Sequence, residues 1–264
     1  MCLIVFHFEP KQRLILAANR DEYFARPTAP LQPWPDGSGL VAGQDLKEGG
    51  AWLGVNLQGD FAALTNMRVQ GATPANPPSR GELVKCFLQS ADSISQRLAA
   101  LERQAAQYAP FNLLAGNLNA LYYLSNYPKV RLEKIGAGTH SLSNASLDMP
   151  WPKTQLACMQ LQAWLAKPSD SHSLSALLNS TELADDTLLP HTGVPLALER
   201  LLSAQFIRSP SYGTRASTGL ILNKESLDIC ERSFNAQGEM QEIMRQKSTF
   251  SPSKCPVYGE MPEL

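Results

Sequence analysis

The chain has 264 residues, a formal net charge of −1 and 44% hydrophobic residues. This length suits a single domain, residues 1–264, with a sizeable core. The near-neutral charge, without a basic stripe, excludes a nucleic-acid surface, and the absence of a long apolar run excludes a membrane-spanning helix.

Residues 2–8 are β-branched and aromatic without Gly or Pro, which predicts a strand. The polar residues 9–13 contain Pro10 and read as the connection to a return strand at 14–18. If Phe8 faces Leu14, antiparallel pairing carries through to Cys2 opposite Arg20, roughly 4.5–5.5 Å apart at Cα. Cys2, Arg20 and Asp21 then share one end of one hairpin. Removal of Met1, favoured when the next residue is small, leaves Cys2 with an α-amine (pKa about 7.7–8.0) beside its thiol (about 8.5). That amine can take the thiol proton directly or through one water. Arg20 favours the thiolate, and Asp21 orients the amine. This is the logic of an N-terminal nucleophile. The competing reading is a buried Cys acting as a small apolar strand residue. Asn19 and Glu22 either join the site or shape the turn through their own backbone.

The opening run is too short for a signal peptide or anchor and lacks a basic lead. Cys2, Cys86, Cys158, Cys230 and Cys255 are odd in number and far apart, which fits free thiols in a reducing cytoplasm and no zinc framework. His7, His140, His172 and His191 show no metal spacing.

The proline-rich stretch through Pro27, Pro30, Pro33 and Pro35 predicts a loop, either over the mouth of a site or on plain surface; Phe24 before it and Trp34 within it are the aromatics to watch. Residues 49–66 predict a hairpin with strands at 52–56 and 61–65, ending at Asn66. Gly49-Gly50 permits either close backbone approach or a simple turn. Ser79 and Glu82 have capping-box spacing and open a helix to residue 89, with Arg80 solvated. A second helix at 93–107 buries Leu98, Leu101 and Ala105. Strands follow at 111–116 and 120–125, and a polar loop at 139–144. Pro152 starts a helix to residue 166. Short helices at 173–179, 181–185 and 195–204 precede strands at 217–223, 227–234 and 240–246, the last two joined by a turn at 235–238. This order predicts an α+β fold of two mostly antiparallel sheets with helices on both outer faces.

Several segments together resemble the NRDE family, also called the transport and Golgi organization family. They are Asn19-Arg20-Asp21-Glu22 after Met-Cys and a strand, and Gly49-Gly50-Ala51-Trp52-Leu53-Gly54, with Ala51 where the family has Thr. Leu64-Thr65-Asn66-Met67-Arg68, Ser79-Arg80-Gly81-Glu82-Leu83, Leu142-Ser143-Asn144 with Asp148-Met149-Pro150-Trp151-Pro152-Lys153, and Tyr212-Gly213-Thr214-Arg215 follow in family order. The resemblance implies a four-layer αββα sandwich similar to the cysteine-type N-terminal nucleophile (Ntn) hydrolases. It adds Asn66, as an oxyanion-hole donor, Asn144 and Arg215 to Cys2, Arg20 and Asp21 as catalytic residues. Such hydrolysis needs no cofactor. The family's links to haem and to lipid or acyl-CoA metabolism make haem or acyl-CoA an alternative ligand. Two function classes follow: an amidohydrolase acting on a C–N bond of a small-molecule amide, or a non-catalytic haem or acyl-CoA trafficking protein on the same fold.

Overall fold

In the computed structural model, which describes residues 2–69, 71 and 73–249, β1 (Cys2–Glu9) and β2 (Arg13–Tyr23) pair with Phe8 opposite Leu14 and Cys2 opposite Arg20. Met1 and Cys255 lie outside the described residues. Both strands are buried along most of their length because both of their faces are covered. Ile4, Phe6, Leu14 and Leu16 face the layer between two sheets, whereas Leu3, Val5, Ile15 and Ala17 face outward beneath helices.

The next seven strands make a second sheet, each antiparallel to the one before: β3 (Thr28–Pro33), β4 (Val41–Asp45), β5 (Leu53–Val55), β6 (Phe61–Asn66), β7 (Phe111–Gly116), β8 (Leu121–Ser125) and β9 (Arg131–Lys134). The chain then returns to the first sheet as β10 (Gly138–Leu142), which pairs with β1; β11 (Tyr212–Asn223), β12 (Ser226–Phe234) and β13 (Met240–Thr249) extend it beyond β2. On the outer face of the second sheet, α1 (Gly81–Gln89) and α2 (Ile94–Gln104) bury Leu83, Phe87 and Leu98 against Ala62 and Leu113. On the outer face of the first, α3 (Pro152–Ala166) and α4 (Ser171–Leu174) bury Ala157, Leu161 and Leu174. A short α5 (Leu196–Leu201) follows. The result is the αββα sandwich.

Several local expectations fail for identifiable reasons. Part of the proline-rich stretch is β3, an edge strand whose register slips between Ala29 and Gln32, where Pro30 and Pro33 cost no ladder hydrogen bond. Trp34 is a core residue, its Nε1 donating to the Ala42 carbonyl at 3.2 Å. Most of the expected loop at 139–144 is β10, because the open side of β1 offers it a partner. Ser79 is not an N-cap: the Glu82 and Leu83 N–H groups bond the Ser79 and Arg80 carbonyls in a tight entering turn. The capping box belongs instead to Ser93 and Gln96. Residues 181–185 are not helical; Asp185 caps a single 3-10 turn at Asp186–Leu188. Strands β4 and β9 went unpredicted. Among the described residues, no helix is long and apolar enough to cross a membrane, and no group of His, Cys, Asp and Glu is arranged to hold a metal.

Candidate active site

Side chains alternate along β2, so Arg20 and Asp21 serve opposite faces of the sheet. Arg20 shares the inter-sheet face with Cys2, its cross-strand partner. Its guanidinium lies 4.3 Å from the centroid of the Trp52 ring, and its Nη1 donates to Thr28 Oγ1 at 3.3 Å. Two glycine positions fix this corner. A Cβ on Gly43 would lie 2.1 Å from the Trp52 ring, so Gly43 makes room for the indole. A Cβ on Gly50 would lie 2.5 Å from the Gly81 backbone, so the Gly50–Gly81 crossing lets the start of α1 approach β5 and carries Arg80 to the site. Gly49-Gly50 is therefore a close backbone approach. The cleft so formed has a volume of ≈ 300 Å³, and Cys2, Arg20, Asp21, Trp52, Asn66 and Arg80 all border it.

On the other face, Thr214 Oγ1 donates to Asp21 Oδ1 at 2.7 Å and accepts from the Ile207 N–H at 2.9 Å. Tyr212 OH donates to the Asp21 carbonyl at 3.1 Å. Beneath lies a cluster of buried charges. Lys153, from the first turn of α3, donates from Nζ to the Leu202 carbonyl at 3.0 Å, and Arg68 pairs with Glu199 at 2.5 Å. The Trp151 ring lies 5.1 Å from the Arg68 guanidinium and 5.9 Å from Lys153 Nζ. Burial pulls the Lys153 ammonium down to about 8, against the attraction of Asp21. Burial likewise raises the Asp21 carboxyl, against the pull of Lys153 and the Thr214 hydrogen bond. Burial also pushes the Cys2 thiol up; Arg20 and the Asp21 backbone N–H oppose this without overcoming it. Arg20 thus favours the thiolate as expected, but does not outweigh burial in a chain whose Cys2 nitrogen is still an amide.

A polar staple joins the two sheets beside Cys2. Ser143 Oγ donates to the Cys2 carbonyl at 3.0 Å, and Thr65 Oγ1 donates to the Ser143 carbonyl at 2.5 Å. Asn144 Nδ2 donates to the Asn66 carbonyl at 2.8 Å, and the Arg68 N–H donates to the Asn144 carbonyl at 2.8 Å. Cys2, Arg20, Asp21 and Asn66 therefore border one cleft, while Asn144 braces it from behind. Arg215 does not border it. It is the extra residue of a β-bulge between Thr214 and Ala216, opposite Asp21 and Arg20. The bulge turns its side chain to the Arg26 and Tyr23 carbonyls and Thr28 Oγ1, which ties down the turn after β2. Phe24 packs with Arg215, 5.9 Å from the guanidinium to the ring centroid, and also stays off the cleft. No histidine borders the cleft; His140 stacks on Phe6 and bonds Asp148 at 2.8 Å. Cys2 is the one described lining residue of a type that ligates haem iron.

Sequence reasoning read Arg80 as solvated, whereas it is half-buried at the cleft, and passed over Trp52, Arg68, Lys153 and Tyr212. Each lies inside a quoted motif, which was the available signal. Their convergence depends on strand pairings between residues far apart in the chain.

The comparisons agree with this architecture. The family model described as Transport and Golgi organisation 2 matches residues 1–236. The Transport and Golgi organization protein 2 homolog of Bos taurus is 35% identical over 261 residues, covering 89% of this chain and 93% of that protein. The Homo sapiens homolog is also 35% identical, with the same coverage. Among solved structures, a C2A mutant of conjugated bile acid hydrolase from Clostridium perfringens superposes with TM-score 0.56 at 9% identity, over 99% of this chain and 100% of that one. A Caenorhabditis elegans ortholog of N-acylethanolamine-hydrolyzing acid amidase gives 0.53 at 10% identity, over 83% and 92%. With its motifs, its sandwich and its matched span in accord, the chain belongs to the Transport and Golgi organisation 2 family and has an Ntn-hydrolase-like fold.

Proposed function

We propose that this protein is an N-terminal-cysteine amidohydrolase that cleaves a C–N bond of a small-molecule amide, with Cys2 as nucleophile once Met1 is removed. The observation that carries the reading is the pairing of Cys2 with Arg20 at the wall of a cleft, where a reacting amide has room beside the sulfur. Loss of Met1 frees the Cys2 α-amine, which takes the thiol proton. The thiolate attacks the amide carbon, and its oxygen becomes an oxyanion. Asn66 lends its carbonyl to Asn144 and leaves its side-chain amide as the oxyanion donor. Collapse breaks the C–N bond; the Cys2 ammonium protonates the departing amine, leaving a thioester. Water, deprotonated by the same amine, hydrolyses the thioester and restores the thiol. Arg20, held on Trp52, stabilises the sulfur anion in both steps. Asp21, anchored by Thr214, orients the ammonium.

One observation favours the alternative, a haem or acyl-CoA carrier: burial keeps the Cys2 thiol raised in the chain that carries Met1. Two measurements decide. Intact mass of the purified protein should show Met1 absent; retained Met1 excludes the mechanism. Iodoacetamide labelling near pH 6.5, read by peptide mass, should be faster at Cys2 than at exposed Cys86 in the Met1-free chain. Slower labelling of Cys2, with haem or acyl-CoA binding unchanged in Cys2→Ala, favours the carrier.

A further inference from the structure

The other strongly buried guanidiniums each have a carboxylate: Arg68 pairs with Glu199 at 2.5 Å, and Arg97 with Asp60 at 2.8 Å. Half-buried Arg26 pairs with Asp45. This is the ordinary condition for a cation removed from water. The two remaining guanidiniums at the cleft break the pattern. Arg20 is 7% exposed, yet its protein contacts are the Thr28 hydroxyl and the Trp52 face. Arg80 is half-buried and makes one hydrogen bond, to the Pro110 carbonyl at 3.1 Å. Neither has a carboxylate within ion-pair distance among the described residues. The acids of the cleft are engaged or peripheral: Asp45 is held by Arg26, Asp21 by Thr214, Glu22 accepts from the Tyr23 N–H at 2.8 Å, and Glu48 is exposed. Glu22 acts on Arg80 and buried Glu231 acts on Arg20, both from beyond ion-pair distance, so neither guanidinium has a contacting carboxylate.

We infer that the substrate brings the missing charge: it carries a carboxylate within a few bonds of the scissile amide, and Arg80 reads that carboxylate while Arg20 serves the sulfur. A guanidinium presents parallel N–H groups that match the two carboxylate oxygens. Glu22 and Glu48, which border the same cleft, weigh against a dianionic phosphate. The inference rests on the amidohydrolase reading for its chemistry, but binding alone tests the charge.

The experiment uses the full-length chain with Cys2→Ala, so that no probe is consumed, and calorimetry with three probes. N-butanoylglycine places the carboxylate on the amine side, N-butylsuccinamate on the acyl side, and N-butanoylethanolamine is neutral. One of the carboxylates should bind about 10- to 100-fold more tightly than the neutral amide. Arg80→Gln should bring that ratio toward one, with Arg80→Lys retaining part of it. Equal affinities for all three probes, or a preference that Arg80→Gln leaves intact in a chain whose thermal unfolding is unaltered, overturns the inference. Turnover of the same probes by the Met1-free wild type is the separate arm. Arg80-dependent binding without turnover retains the carboxylate and removes the hydrolase.

Discussion

The two faces of the β1–β2 hairpin hold charge in opposite ways. Behind the hairpin, Arg68, Lys153, Glu199 and Asp21 form a closed cluster in which cations and carboxylates face one another under Trp151. In front, Arg20 and Arg80 stand at an open cleft without carboxylates of their own. The closed cluster is arranged for folding, since an unmatched charge there has no water to turn to. The open pair has no such match, and that difference is the ground for the proposed carboxylate.

The largest expected effect breaks the closed side. Glu199→Ala removes the carboxylate from buried Arg68 and should cost about 3–5 kcal/mol. Urea denaturation should show it as a lower midpoint at unchanged slope. Stability should also respond to pH in two separate windows. Lys153, held near 8 rather than 10.5, burdens the fold while it is charged. The unfolded chain binds the extra proton between those values, so stability rises with pH there and is lost as pH falls through 8. Relative to Lys153→Met, the wild type should gain about 3 kcal/mol between pH 8 and 10.5. Glu231, on the inter-sheet side of β12, accepts from the Leu31 N–H at 2.8 Å and Thr218 Oγ1 at 3.2 Å. Burial raises its carboxyl to about 7 from 4.5, so the stabilisation it gives at low pH fades as pH rises through 7. Relative to Glu231→Gln, the wild type should lose on the order of 3 kcal/mol between pH 4.5 and 7. Denaturant midpoints read across both windows check the two signs together.

A smaller effect connects the regions. Gly43→Ala drives a methyl into the Trp52 ring and should cost about 1–3 kcal/mol while loosening the seat of Arg20. Its signature is a changed tryptophan emission together with slower Cys2 alkylation. The smallest effect belongs to the open side. Arg80→Ala should cost about 0.5–1 kcal/mol in calorimetric melting, because it loses one hydrogen bond to the Pro110 carbonyl and no ion pair.

The hairpin register was legible because two apolar runs joined by a short polar link leave few ways to pair, and Cys2 does face Arg20. The same period-2 rule put Asp21 on the opposite face, a consequence available from the sequence but left unused. The layers followed from the order of strand and helix patterns. The role of Arg215 was hidden because a bulge rotates its side chain, and no local pattern announces one extra residue in a twelve-residue strand. Glu199 was hidden for a different reason: it sits on a short helix that buries the glutamate and exposes Leu196 and Leu198, the reverse of the usual pattern, and only the sandwich brings it to Arg68. β3 was hidden by its prolines, which an edge strand tolerates and a central strand does not.

The staple through Ser143 and Asn144 also bears on how the molecule breathes. Over most of their area the two sheets meet through apolar side chains, which slide and repack at little cost. Beside Cys2 they are sewn together by directional bonds from the Cys2 carbonyl through Ser143 to Thr65, and from Asn66 through Asn144 to Arg68. The far end of the hairpin is tied as well, where the Lys11 N–H bonds the Leu118 carbonyl, so this corner is one of several polar ties between the sheets. Amide hydrogens at residues 66–68 and 2–4 should exchange as one cooperative unit, at rates near those of global unfolding. A cysteine tied at this corner keeps its position while the apolar core around it repacks, which leaves the chain free to change much of its interior without moving that sulfur.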